Sequence, residues 1–277
     1  MLVSSNSSIH FPGIIQFNSF LNFRNIIHFS TTRWGGYSVG SFDSFNLSEY
    51  SGDQQVNVVK NREALCKILQ LNPEKLLIPY QTHEADIAII DENFLEATRE
   101  KQQERLYGKD ALITCIPDVC IAVTTADCVP VLLYSEDKQV IGAVHAGWRG
   151  TQQRILQKTI AEMVNSFDVN PKKIYAVIGP SVSPEAFEVG DEVYQAFNDS
   201  GFDMSSMSFR HPLTKKYHID LWRLNKQQLL ETNIPENQIE ISGICTFQNN
   251  DKFFSARRQG IKSGRMLTGL YLLPYIS

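Results

Sequence analysis

The sequence contains no uninterrupted apolar stretch near the roughly 20 residues that a membrane helix requires. Its most apolar segment, Val119 to Tyr134, is broken by Thr124, Thr125, Asp127 and Pro130, so a membrane-spanning protein is not expected. The beginning, MLVSSNSSIHFPG, lacks both the basic start and the apolar run of a secretory signal, and a cytoplasmic protein is the expectation. A disulfide framework is missing as well. The five cysteines (Cys66, Cys115, Cys120, Cys128 and Cys245) are odd in number and irregularly spaced, which suits a reducing compartment and leaves at least one thiol free for chemistry. Nor is there an excess of positive charge: 26 Lys and Arg against 30 Asp and Glu give a net charge of -4. That balance argues against nucleic acid and anionic membranes as partners. No repeat, heptad run, low-complexity tract or linker is visible, and nothing in the sequence bears on oligomeric state.

What is present is an ordinary globular composition, with 277 residues of which 43% are hydrophobic and 20% charged, and a single domain over residues 1–277 is expected. Strand-like runs occur at 26–31, 76–83, 110–115, 119–125, 129–134, 140–146 and 173–179. Helical patterns occupy about 55–70 and 221–233, and a third begins near Thr151, where Leu156, Ile160, Met163, Val164 and Phe167 form one apolar stripe. Segment 91–108 reads as an exposed helix or loop. The strands cluster centrally without strict alternation with helices, so the expected fold is α+β or mixed α/β, with a mixed β-sheet core covered by helices.

Chemistry-bearing residues interrupt the apolar strands at their ends. LLIPYQTH runs into His83, VCIAVTTADC into Asp127 and Cys128, and VIGAVHAGWRG into His145 and Arg149. Strand ends place side chains rigidly, and two imidazoles with one thiolate form a three-ligand set that suits zinc with a fourth position open. The separations of 45 and 17 residues leave convergence open. They leave open equally a Cys128 nucleophile activated by His145 or His83, as in Cys-His hydrolases. Asp127, beside Cys128, is a candidate either for holding a ligand in place or for carrying a proton. The glycine-rich loop TTRWGGYSVGSFDSFNLS holds Arg33 and Asn46 as candidate substrate and phosphate contacts. A helix opening at Thr151 with Arg149 beside it is a candidate anion site. In CTFQNNDKFFSARRQGIKSGRM, strand alternation would send Arg257 and Arg258 to opposite faces, with Cys245 and Arg265 nearby; Glu185 and Glu188 are further acid or base candidates.

Taken together, STTRWGGYSVGSFDSFNL, PYQTH, GKDALIT, TTADCVPVLL, VHAGWRGT, IGPSVSPEAFEVG, HIDL and FFSARRQGIKSGRM, in that order over nearly the whole chain, resemble the laccase-domain family, also called the multicopper polyphenol oxidoreductase or purine nucleoside phosphorylase family. The resemblance implies a compact single-domain α/β fold, with His83, Cys128 and His145 as metal ligands. It implies phosphorolysis of purine nucleosides such as adenosine, inosine and methylthioadenosine, with adenosine deamination as a second activity. The partners would then be a purine nucleoside and phosphate. Members have also been linked to editing of peptidoglycan precursors. The family's older name suggests a copper-dependent polyphenol oxidase, but the six histidines (His10, His28, His83, His145, His211, His218) include no two within three residues of each other. Copper could occupy a single His2Cys site, whereas a multinuclear cluster lacks the ligands. The H-x-E and P-C-x-x-C signature of nucleobase deaminases is also missing, so deamination would use a different kind of site.

Overall fold

A computed structural model describes Phe11 and residues 13–274. Of the N-terminal stretch read for a leader, residues 1–10, His10 included, and residue 12 lie outside the described residues. The expected mixed sheet is present as two stacked sheets and a small ribbon. One sheet has five strands in the order Ile14–Ile15, Ile26–Thr31, Met266–Leu272, Cys120–Thr125, Leu76–Leu77, antiparallel except for the last pair. The other has six, in the order Ile239–Ile241, Ile174–Ile178, Val129–Ser135, Val140–Ala146, Ala111–Thr114, Ile87–Ile90, antiparallel in the middle and parallel at both edges. The ribbon pairs Glu188–Val189, Tyr217–Ile219 and Ser208–Arg210.

Strand alternation explains the layering, because successive side chains leave opposite faces. Leu112, Leu132, Ile141 and Ala143 of the six-stranded sheet meet Ile121, Val123, Leu270 and Leu272 of the five-stranded one. Their sequence neighbours Ile113, Val131, Leu133 and Val144 join Leu156, Ile160 and Met163 of the helix Ile155–Phe167 and Leu224 and Leu229 of the helix Leu221–Glu231. On the far side, Phe29, Cys120, Ala122 and Leu267 pack on Leu65, Cys66 and Leu69 of the helix Gln55–Leu69. Both faces of both sheets are therefore covered. Each fully buried Leu, Ile or Phe in these layers contributes about 1.5–3 kcal/mol. Pro130 is tolerated in a central strand because pairing with Ile174–Ile178 begins only at Val131.

Three differences from the sequence reading bear on the site. The run 76–83 is a strand only at Leu76–Leu77, and its remainder is loop, with His83 at φ 64°. The helix expected from Thr151 begins at Ile155, after a separate turn Trp148–Gln152 and a left-handed Arg154. Arg257 and Arg258 lie on the helical turn Ala256–Gln259 and are both exposed, so strand alternation does not apply to them. Segment 91–108 forms two short helices, Glu92–Glu96 and Arg99–Leu106, capped by Asp91 and Thr98. Among the described residues no helix is long and apolar enough to cross a membrane.

His28 is fully buried in the strand Ile26–Thr31 between the rings of Phe17 and Phe20, and its Nε2 accepts the Phe17 N–H at 2.8 Å. Burial pushes it down from 6.5 to about 4. As pH falls, the unfolded chain takes up this proton first, so the stability His28 confers is complete above 6.5 and is lost as pH falls to 4. The loss is roughly 3 kcal/mol. Urea midpoints of wild type and His28→Gln, compared from pH 7.5 to 4.5, are expected to converge or cross as pH falls. A difference that stays constant across that window would refute the assignment.

Candidate metal centre

The ends of two central strands of the six-stranded sheet and one loop meet at the candidate site. His145 is the penultimate residue of Val140–Ala146 and is 2% exposed. Cys128 immediately precedes Val129–Ser135, which pairs with that strand in the register Val129↔Ala146 and Pro130↔His145. It ends a short connection from the five-stranded sheet, Ala126–Asp127–Cys128, whose hop between layers is made by a left-handed Asp127 at φ 85°. His83 arrives on the exposed loop after Leu76–Leu77. One potential donor atom from each of the three lies within 4.8 Å of the others, and the two imidazole rings stand edge to face with centroids 4.9 Å apart.

The approach is close enough that a side chain at Gly147 would press on the Cys128 sulfur. A Cβ there would lie 3.2 Å from the Cys128 Sγ and 3.5 Å from carbon atoms of both His83 and His145. Glycine is what lets the backbone cross the site. Gly150 has a similar function one turn on, where a Cβ would lie 3.0 Å from the Glu84 carbonyl and so press on the loop carrying His83.

A fourth side chain, not singled out in the sequence, completes the arrangement. Asp110 is fully buried just before Ala111–Thr114, beside the strand that carries His145. Its Oδ1 lies 2.6 Å from His145 Nδ1, and its carbonyl accepts the His145 N–H at 2.7 Å. The same carboxylate accepts N–H groups from Thr82, His83 and Glu84 at 3.2, 3.1 and 2.9 Å. The signal was in the sequence, since an aspartate opening the apolar run ALIT is the same kind of interruption that marked Cys128 and His145.

The electrostatics follow from these contacts. Burial alone would raise the Cys128 thiol, but His145 and then His83 hold it down to about 6. Burial would lower His145, yet Cys128 and Asp110 bring it up to about 9. Asp110 is lowered in spite of its burial, by His145 and the amides of Glu84 and Thr82. The pocket thus stabilises a thiolate beside an imidazolium. Exchange of a proton for a cation at these atoms gives a borderline-soft S and N donor set.

The other sequence candidates separate. Asp127 accepts Thr246 Oγ1 at 2.7 Å, Ser255 Oγ at 3.0 Å and the Arg257 N–H at 2.7 Å. Both its oxygens are occupied, and it ties segment 246–257 to the Cys128 connection. Asn46 is fully buried; its Nδ2 donates to Ser51 Oγ and Asp53 Oδ2, and its Oδ1 accepts the N–H of Ser48 and Arg265. Asn46 is thus a buried tie between its own loop and the segment of Arg265. Arg33 is largely committed too, donating from Nε to the Asp43 carbonyl and from Nη1 to the Asn250 carbonyl. Arg149 is exposed, and among the described residues its guanidinium has only the Trp148 ring beneath it, 4.3 Å from the ring centre. The helix start expected at Thr151 is corrected, because the Thr151 N–H is already donated to the Gly147 carbonyl. Arg265 is held by Ser263, Gly264 and Ile261, and burial lowers its guanidinium against the charges of Cys128 and Asp127. Glu188 is taken up by Thr214 and Lys216, and the Cys245 sulfur accepts the Ser183 N–H.

A family model described as multi-copper polyphenol oxidoreductase laccase matches residues 27–273. A purine nucleoside phosphorylase of Bacteroides thetaiotaomicron is 46% identical over 259 residues, covering 94% of this chain and 96% of that protein. A protein named adenosine deaminase RL5, from an unknown prokaryotic organism, is 39% identical over 243 residues, covering 88% and 92%. The crystal structure of the hypothetical protein YfiH of Bacillus licheniformis superposes with a TM-score of 0.88 at 28% identity, covering 96% and 98%.

Proposed function

The chain belongs to the multi-copper polyphenol oxidoreductase laccase family, and from that premise we propose that it is a purine nucleoside phosphorylase holding one zinc ion on His83, Cys128 and His145. The observation that carries this reading is the convergence of the three donors within 4.8 Å, together with relatives named purine nucleoside phosphorylase and adenosine deaminase. Adenosine, inosine and methylthioadenosine are the proposed substrates, with adenosine deamination as a second activity. One ion is favoured over a copper cluster by ligand count. His28 is enclosed by Phe17 and Phe20, while His211 stacks on His218 of the ribbon, so among the described residues only His83 and His145 join a cysteine.

When bound, the ion supplies Lewis acidity at a substrate heteroatom. The chain's own residues do the rest. His83, Cys128 and His145 would hold the ion, and three protein donors are the number found in catalytic rather than structural zinc sites. In phosphorolysis a phosphate oxygen forms a bond to the anomeric carbon while the glycosidic C–N bond breaks and its electron pair leaves with the purine. The anion must be held against that carbon. Arg149, two residues beyond Gly147 and without a carboxylate partner among the described residues, is the proposed phosphate contact. Arg33 serves mainly to pin the loop on which it sits, with its remaining N–H groups as an auxiliary contact. Asp127 acts as a tether, since both its oxygens are bonded.

Base release from inosine or adenosine is expected to require phosphate. Arg149→Ala removes a charge-assisted hydrogen bond and should raise KM for phosphate about ten- to a hundredfold, with the fold unchanged. Base release at the same rate without phosphate would make the reaction a hydrolysis. An unchanged phosphate KM would remove Arg149 from this role.

A further inference from the structure

We infer that Asp110 is the residue that presets the metal centre, by fixing the ring nitrogen of His145 and the loop of His83 through one buried carboxylate. The inference rests on the metal reading above but assigns a residue outside the three ligands. Two of the donors reach the site on unrelated pieces of chain. His145 stands on a central strand, whereas His83 stands on an exposed loop with a left-handed backbone. Such a loop residue has many alternatives open to it, and only fixed contacts keep it in register with a strand.

Asp110 supplies those contacts. Oδ1 receives the His83 N–H and faces His145 Nδ1, and Oδ2 receives the N–H groups of Thr82 and Glu84. Three consecutive amides on one carboxylate hold the turn around His83 as a unit. Both oxygens already accept backbone N–H groups, so the short contact at 2.6 Å sets His145 Nδ1 as the donor and leaves Nε2 as the ring nitrogen facing Cys128 and His83. The acceptor is also preorganised. Asp110 is fully buried, just before a strand hydrogen-bonded to the one that carries His145, and its carboxylate bonds to both histidine-bearing segments while its own N–H donates to the Asp86 carbonyl at 2.9 Å.

Asp110→Asn tests this with almost no change of shape. With its oxygen toward His145, the amide NH2 faces the N–H groups of Thr82 and Glu84, and the His83 loop loses two of its three anchoring bonds. Flipped, the NH2 donates to His145 Nδ1, which forces the proton onto the nitrogen that should face the metal. Either orientation damages one ligand.

The experiment titrates metal-free wild type and Asp110→Asn with cobalt(II), following thiolate-to-metal charge transfer and the visible ligand-field bands, and measures zinc affinity by chelator competition. The expected result is a loss of affinity of about tenfold to a hundredfold, with altered ligand-field bands and retained near-ultraviolet circular dichroism. Equal affinity and an unchanged cobalt spectrum in a folded variant would overturn the proposal. Failure of wild type to bind cobalt or zinc would instead overturn the metal reading itself. If Asp110→Asn does not fold, wild type loaded with cadmium-113 decides. Long-range nitrogen–proton spectra should show His145 protonated at Nδ1, with that proton strongly deshielded, and bound to metal through Nε2. The opposite tautomer, or an unshifted Nδ1 proton, would overturn the assignment.

Discussion

His83→Ala is expected to lose zinc and phosphorolysis by at least about a hundredfold, more than is typical when only an outer hydrogen-bonding partner is removed, while the metal-free fold stays as stable as wild type. His145→Ala should lose metal just as completely but should also be destabilised. The difference lies in what each truncation leaves behind. His83 is exposed, so its removal strands no buried group. His145 is 2% exposed and contacts a fully buried carboxylate. Its removal leaves Asp110 ionised with only backbone amides, and uncompensated burial of one partner typically costs about 3–5 kcal/mol. Zinc content by elemental analysis and thermal melts in the presence of chelator check both halves. Stoichiometric zinc in His83→Ala would sink the three-ligand reading. Equal melting temperatures for the two metal-free variants would show that Asp110 does not depend on His145.

The candidate metal centre was legible in part because Cys128 and His145 stand at the ends of apolar strands, and an apolar strand that ends in Asp-Cys or His-Ala-Gly-Trp-Arg gains nothing from packing; His83 instead lies on a loop that its apolar run disguises as strand. The same rule applied to Asp110, yet a lone aspartate before ALIT looks like any strand-initiating turn residue until the antiparallel register brings it beside His145. Register between distant strands is a tertiary fact that no local pattern carries. Asn46 shows how a local pattern leaves a side chain's partners unread. A polar residue in a glycine-rich loop is a fair candidate for ligand contact, but this one spends its whole side chain on Ser48, Ser51, Asp53 and Arg265. The strand Met266–Leu272, fully buried between Ile26–Thr31 and Cys120–Thr125, went unread beside the charged residues before it. The division into two stacked sheets was hidden for a related reason. The strands Cys120–Thr125 and Val129–Ser135 are separated by only three residues and look like a hairpin, and the left-handed Asp127 that sends them into different layers is not a glycine.

Cys128 is expected to bind metal and not to attack substrate, and this matters because Asp110, His145 and Cys128 also lie in the order of a carboxylate–imidazole–thiolate nucleophile. What separates the readings geometrically is His83, whose donor falls within 4.8 Å of the other two. A nucleophile needs one base and one orienter, and a second imidazole on the thiolate is superfluous for it but completes a three-ligand set. For a ligand, zinc should shield the thiol: iodoacetamide should label Cys128 slowly in zinc-loaded protein and at least about tenfold faster once a chelator exposes the activated thiolate. Cys128→Ala should lose zinc along with activity, whereas Cys128→Asp, which restores an anionic donor, should retain part of both. For a nucleophile, Cys128→Ala would abolish activity with metal content unchanged, and quenched reactions would carry a covalent adduct on Cys128 detectable by mass spectrometry. Such an adduct, or labelling of Cys128 that is indifferent to zinc, would transfer the function from phosphorolysis at a metal centre to Cys-His hydrolysis on the same side chains.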